Sequence, residues 1–367
     1  MRPASGVSPV KSSKQRWARH ARYRPAAPGI PIRGPGRRRR IPCGFAKHDW
    51  SSARTPLATV VKGASFPYAY QVYEQREQPT PTSEEFLMNS ARKQVAVVVG
   101  ATSKWQSDGR NTKLAHGKVL DDSDIPVGMR WGVGGAIAQK FAKEGFFVVL
   151  TTRRAANASA LEKAIIEQGG EGMIVELDLV SGESISRAFT TIRRQAGDPD
   201  VLVYNAGYLE GRDLPPEKEL LEHIPIDIFE TAQHIASRGP FLVAQEVLPA
   251  MRQRGAGSFL ISNNQFSLRG RKRMTGQSLY YPRVMMRTLA QVLTEEYSEH
   301  GVHVANVVID GLIDSPGTRA LPRAQQNPDV VMNPVKIAEA FYYLHTQDKS
   351  CWTHELQLTP FATKPSF

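Results

Sequence analysis

From Gln94 onward, apolar residues follow two alternating rhythms. Short, nearly continuous apolar runs at Val95–Val99, Phe147–Thr151, Gly172–Glu176, Val201–Tyr204, Ser258–Ser262, His303–Val308 and Glu355–Leu358 predict strands, several of them buried on both faces. Between them, apolar positions recur every three or four residues at Gly134–Lys143, Ala158–Gln168, Ile185–Ala196, Ile228–Arg252, Tyr280–His300 and Pro334–Thr346, which predicts helices. Strand and helix in alternation imply an α/β fold with one doubly wound, mostly parallel sheet. No internal repeat is present, and residues 94–367 read as one domain.

The first 93 residues break this rhythm and read as a largely disordered leader and linker. Residues 1–48 hold thirteen Lys and Arg and no Asp or Glu, with prolines at 25, 28, 31, 35 and 42 that prevent a long helix. Three readings stand side by side. An acid-poor, Arg-rich leader fits import into a mitochondrion or plastid. The chain could instead start at Met88, six residues before the first strand, and be cytoplasmic. The third reading is a basic arm for a polyanion.

Charge adds little beyond the leader. Of 47 basic and 35 acidic residues, removing the leader's thirteen cations leaves 34 against 35, so the formal +12 belongs to the tail. Nothing in the remainder reads as a nucleic-acid module. Two cysteines, Cys43 and Cys351, exclude a disulfide framework and a cysteine-based zinc site, and His116, His234, His300 and His303 lack metal-ligand spacing. No apolar run approaches the roughly 20 residues of a membrane helix.

The chemistry concentrates at the end of the first strand. Val95–Val99 runs into Gly100-Ala101, and Gly132-Val133-Gly134-Gly135 opens the next helix. Gly145 stops that helix and the second strand follows. Strand, glycine turn, helix and strand in this order form a dinucleotide-binding βαβ unit: the glycines admit the pyrophosphate and the helix N-terminus offers it free N–H groups.

Further ordered motifs extend the pattern: Asp200-Val201-Leu202-Val203-Tyr204-Asn205-Ala206-Gly207, Phe241–Pro249, Gly257–Ser262 and His300–Val307. Over residues 94–360 the chain resembles the short-chain dehydrogenase/reductase family. The resemblance implies a Rossmann-like fold and hydride transfer between a nicotinamide cofactor and a carbonyl/alcohol pair. It also implies that Gly100, Ala101, Gly132, Val133 and Gly134 form the phosphate loop. Asn205, Ala206 and Gly207 would lie by the adenine ribose, Asp178 and Leu179 by the adenine, and Gly311 and Ile313 would complete the cofactor site. A dimer or tetramer built on Ile228–Arg252 and Tyr280–His300 is a further implication.

Cofactor choice turns on the end of the second strand. An acidic residue there would bind the ribose 2′-hydroxyl of NAD. The chain has Thr151-Thr152-Arg153-Arg154 instead, and guanidinium groups suit a 2′-phosphate, so NADP is expected over NAD.

Three departures from the family stand out. Thirty residues, 102–131, separate Ala101 from Gly132 where the family has only a few. This insertion carries Lys104, Trp105, Lys113, His116, Lys118, Asp121, Asp122 and Asp124, and reads either as a lid over the cofactor or as a surface excursion. Tyr204 replaces the first of two usual asparagines. The family's catalytic Tyr, Lys, Ser and Asn align with Leu279, Arg283, Asn264 and Ala236. Tyr280, one residue away, shares a helix face with Arg283 and could replace the proton donor, with Asn264 donating to a carbonyl. The opposing reading is a nucleotide-binding pseudoenzyme. Arg269-Gly270-Arg271-Lys272-Arg273 reads either as a solvated charge run in a loop or as a patch that attracts an anionic small-molecule substrate.

Overall fold

The computed structural model describes residues 92–103, 112–113, 119–208, 222–269 and 281–366. Within them, seven strands form one sheet: β1 (Val95–Val99), β2 (Phe147–Thr152), β3 (Glu171–Glu176), β4 (Val201–Tyr204), β5 (Gly257–Asn264), β6 (Val302–Ile309) and β7 (Glu355–Leu358). Their order is β3-β2-β1-β4-β5-β6-β7, and every neighbouring pair is parallel. All seven carboxyl ends therefore lie along one edge. The chain runs outward from β1 to β3 and then returns to β4 on the other side of β1, which opens a crevice above β1 and β4.

The strands expected from the apolar runs are all present, with ends shifted by no more than two residues. β1 shows why they were legible: all five residues are fully buried, because the sheet is covered on both faces. The helices are α1 (Gly132–Lys143), α2 (Ser159–Glu167), α3 (Gly182–Gln195), α4 (Ile226–Gln233), α5 (Gly239–Arg254), α6 (Tyr281–Tyr297) and α7 (Pro334–His345). On one face, Phe189 and Ile192 of α3, Val247 and Met251 of α5 and Met286 and Leu293 of α6 pack on the sheet. On the other, Ile137 and Phe141 of α1, Leu161 of α2 and Phe341 of α7 do so. Local chemistry sets the helix ends: the Ser181 hydroxyl accepts from the Ser184 N–H at 3.2 Å, and Asn333 caps α7 ahead of Pro334.

The expected element Ile228–Arg252 is present as α4 and α5, continuous through a π-turn at His234–Arg238. Pro240, which has no N–H to give the preceding turn, and a tertiary contact described below account for the wider register.

The carboxylate of Asp200, at the start of β4, joins the two halves of the sheet. It binds the Arg92 guanidinium at 2.6 Å and the Val95 N–H at 2.8 Å. Among the described residues no helix is long and apolar enough to cross a membrane.

Candidate functional site

At the sheet's carboxyl edge, β1 leaves through Gly100 with φ +83°. A Cβ on Gly100 would lie 2.6 Å from the Ala206 Cα. On Gly134 it would lie 2.7 Å from the Asn205 amide nitrogen and would also strike the Gly100 carbonyl. Only glycine fits where the first turn of α1 crosses these two loops. Asn205 locks the arrangement: its backbone N–H donates to the Val99 carbonyl at 2.8 Å and its side-chain amide to the Gly100 carbonyl at 2.9 Å. The structure thus brings together Gly100, Ala101, Gly132, Val133, Gly134 and the Asn205-Ala206-Gly207 turn. The N-terminus of α1 opens at this crossing.

At the end of β2, the Thr152 hydroxyl lies 3.3 Å from that of Thr102 in the first turn. Arg153 and Arg154 follow, both exposed. Beyond β3, an Asp178 carboxylate oxygen accepts the Val180 N–H at 3.1 Å, while Leu179 is buried in the core.

Arg283 lies half-buried in the first turn of α6, where Pro282 is tolerated because an N-terminal turn lacks an internal partner for its nitrogen. Its guanidinium donates to the Ser262 carbonyl at 3.4 Å. It also covers Gly207 so closely that a Cβ there would lie 2.8 Å from Nη2. Arg283 and the Asn-Ala-Gly turn are therefore neighbours. Asn264, at the end of β5, accepts the Phe266 N–H on Oδ1 at 3.1 Å. Gly311 follows β6, and Ile313 pairs with Met332 in a short parallel ladder. Tyr280, Leu279, the Arg271–Arg273 cations and the leader lie outside the described residues. Tyr281, beside Tyr280, is exposed.

Tyr204 is fully buried, and its hydroxyl donates to the Ile235 carbonyl inside the π-turn. Burial drives this phenol far above its ordinary pKa, and the Arg283 charge opposes the shift weakly. The ring is a neutral donor. The residue aligned with the family's helix Asn, Ala236, is buried in the same π-turn.

Sequence reasoning missed a chain of amides behind the site. Arg287 forks onto Glu355 at 2.6 and 2.7 Å, and Glu355 accepts from Asn306 at 3.1 Å. Asn306 in turn accepts from Asn263 at 3.2 Å, and Asn263 also donates to the Arg283 carbonyl at 3.1 Å. The available signal was Asn306, a polar residue within the apolar run of β6.

The second limb of the insertion is built into the domain. Val119–Leu120 pairs antiparallel with Thr112–Lys113. Asp122 is fully buried and binds Arg130 at 2.8 Å, and the Arg130 guanidinium also reaches the Asp122 carbonyl. This pair and buried Trp131 lead the chain into α1. Among the described residues no group of three or more His, Cys, Asp or Glu could hold a metal ion.

Comparison with known proteins agrees with this geometry. A family model described as Enoyl-(Acyl carrier protein) reductase matches residues 127–353, starting just after most of the insertion. MabA of Mycobacterium tuberculosis, a 3-oxoacyl-[acyl-carrier-protein] reductase, is 28% identical over 247 residues, 65% of this chain and 91% of its own. YxjF of Bacillus subtilis, an uncharacterized oxidoreductase, is 26% identical over 192 residues, 52% of this chain and 70% of its own. The crystal structure of a metagenomic short-chain oxidoreductase in complex with NADP superposes with a TM-score of 0.55 at 24% identity, covering 74% of this chain and 99% of that one. Fold and turns define a dinucleotide-fold oxidoreductase. The chain belongs to the short-chain dehydrogenase/reductase family.

Proposed function

We propose that the protein is an NADP-dependent oxidoreductase that interconverts a carbonyl and an alcohol on a small, anionic substrate. The observation that carries this reading is the cradle at Gly134, Gly100 and Asn205, which a single Cβ would fill. In this reading Gly100, Ala101, Gly132, Val133 and Gly134 admit the pyrophosphate, Arg153 and Arg154 bind the 2′-phosphate, and Asp178 and Leu179 border the adenine. Gly311 and Ile313 border the nicotinamide, which supplies or accepts the hydride when bound. Arg283 holds the ribose and adds a positive field, Tyr280 moves the proton at the reacting oxygen, and the Asn264 amide donates to the same oxygen. The NADP named for a structural relative and the 3-oxoacyl chemistry named for MabA support an acyl-thioester carbonyl as the first substrate class to test.

Calorimetric titration with NADPH and NADH, followed by NADPH oxidation with aldehydes, ketones and 3-oxoacyl thioesters, tests the proposal. Turnover with NADPH is the expected result. NADPH binding without turnover on the whole panel would instead favour a nucleotide-binding protein that has lost the chemistry. Ala236 and Arg283 at the aligned Asn and Lys positions favour that second reading. Exposed Phe241 on α5 and Met285 and Val292 on α6 supply apolar surface for the homodimer or homotetramer we propose, and light scattering measures it.

A further inference from the structure

The residue that follows β6, Asp310, is 3% exposed, yet the proposed cofactor and proton chemistry does not use it. Four donors meet its carboxylate. On Oδ2 these are Gln357 at 2.7 Å, the Thr359 hydroxyl at 3.4 Å and the Ser366 N–H at 2.7 Å. On Oδ1 it is the Ser366 hydroxyl at 2.7 Å. The same hydroxyl stands 2.7 Å from Oε1 of Gln265, which directly follows Asn264. A hydroxyl carries one hydrogen, so Ser366 shares it between the Asp310 carboxylate and the Gln265 Oε1 acceptor. Pro360, where the same segment begins, packs against Gly311 so closely that a Cβ on Gly311 would lie 2.8 Å from its ring.

The segment 360–366 therefore joins two loops at the sheet's carboxyl edge, one leaving β5 at Asn264 and the other leaving β6 at Asp310. Both lie on the β4-to-β7 side of the crevice. Arg153 and Arg154 end β2, on the opposite side of β1. We propose that Asp310, Ser366 and Gln265 form a clasp that positions Asn264 and the Gly311–Ile313 turn, and that this clasp sets substrate selectivity more than nucleotide affinity. Asp310 and Ser366 are positioning residues. The selectivity arm rests on the oxidoreductase reading, whereas the positioning arm stands without it.

The full chain carrying Ser366→Ala, Ser366→Thr or Asp310→Asn is measured in two ways. Amide hydrogen exchange needs no substrate. Ser366→Ala and Asp310→Asn should speed exchange at 264–269 and 311–313 by roughly fivefold or more, the scale of one lost hydrogen bond, and leave 132–142 unchanged. Ser366→Thr keeps the hydroxyl and should restore the wild-type pattern. Where turnover is found, Ser366→Ala should change the ratio of kcat/KM between a short and a branched carbonyl substrate by a larger factor than it changes the Kd for NADPH. Unchanged exchange at 264–269 in both Ser366→Ala and Asp310→Asn would overturn the clasp. So would a loss of NADPH affinity equal to the loss of kcat/KM. Absence of turnover in the wild type removes the oxidoreductase reading and leaves the exchange result to decide the positioning claim.

Discussion

The buried hydroxyl of Tyr204 donates to the carbonyl of Ile235, and the helix between α4 and α5 widens into a π-turn at that point. In the π register the backbone partner of the Ile235 carbonyl would be Pro240, which has no N–H, and the phenol takes that carbonyl. Gly239 completes the fit, since a Cβ there would lie 2.5 Å from the phenolic oxygen. Tyr204→Phe should cost about 1–3 kcal/mol, because a buried carbonyl loses its donor. Gly239→Ala alone should be destabilising, but less so with Tyr204→Phe, where the clashing oxygen is gone. Urea unfolding of the two single variants and the double variant measures this coupling.

That contact marks the boundary of what the sequence makes legible. The strands announce themselves because two-sided burial demands continuous apolar runs, as in β1 and β4. The glycine turn is legible because backbone crowding at Gly100 and Gly134 excludes every side chain. By contrast, the π register at His234–Arg238 is only half announced, by Pro240, while the phenol that takes the Ile235 carbonyl lies some thirty positions earlier at Tyr204. Asp310 and Ser366 stand 56 residues apart, and nothing local pairs them. Asp122 reads as one of three solvated acids until Arg130 is seen beside it.

Cofactor preference should reside in Arg153 and Arg154. Replacing both with Glu should weaken NADPH binding by more than roughly 100-fold, as charge-assisted hydrogen bonds of about 1.5–3 kcal/mol each are lost to a repulsive charge. NADH affinity should hold or improve. Calorimetry on the wild type and the double variant distinguishes the cofactors, and equal NADPH affinity in both proteins would remove these arginines from the site.

Stability should fall on mild acidification. The His345 imidazole is held down to about 4, chiefly by burial, with Asp200 opposing the shift and His303 adding to it. It shares a 2.9 Å hydrogen bond with Ser258, and its ring packs on Phe141 and Phe146. In the unfolded chain the ring takes its proton near the ordinary histidine value of about 6.5. Below that pH the unfolded state binds a proton that the folded state refuses. The contribution is therefore complete above about 6.5, declines as pH falls, and stops changing below about 4. The loss should reach about 2–3 kcal/mol. Buried His303 is shifted in the same direction, so His345→Gln should flatten part of the slope between pH 7 and 4.5. Denaturant midpoints at those two pH values measure the difference.

Catalysis gives the sharpest test, because the family resemblance aligns Arg283 with a lysine. Its guanidinium covers Gly207 and reaches the Ser262 carbonyl, which suits it to hold a ribose and to favour a nearby phenolate. It cannot pass on a proton, since it stays charged throughout the working range. The proton must therefore come from another group, and Tyr280, three residues before Arg283, is the phenol expected on the same helix face. Tyr280→Phe removes one hydroxyl and should lower turnover by roughly 100-fold or more while leaving NADPH affinity intact. Arg283→Lys restores the residue type usual in the family and should retain or raise activity. Initial rates of NADPH oxidation for the wild type and both variants, with nucleotide affinity measured alongside, separate the roles. Turnover that survives Tyr280→Phe would assign the proton to a group other than this phenol, while a collapse of NADPH binding in Arg283→Lys would make the guanidinium fork itself the ribose anchor.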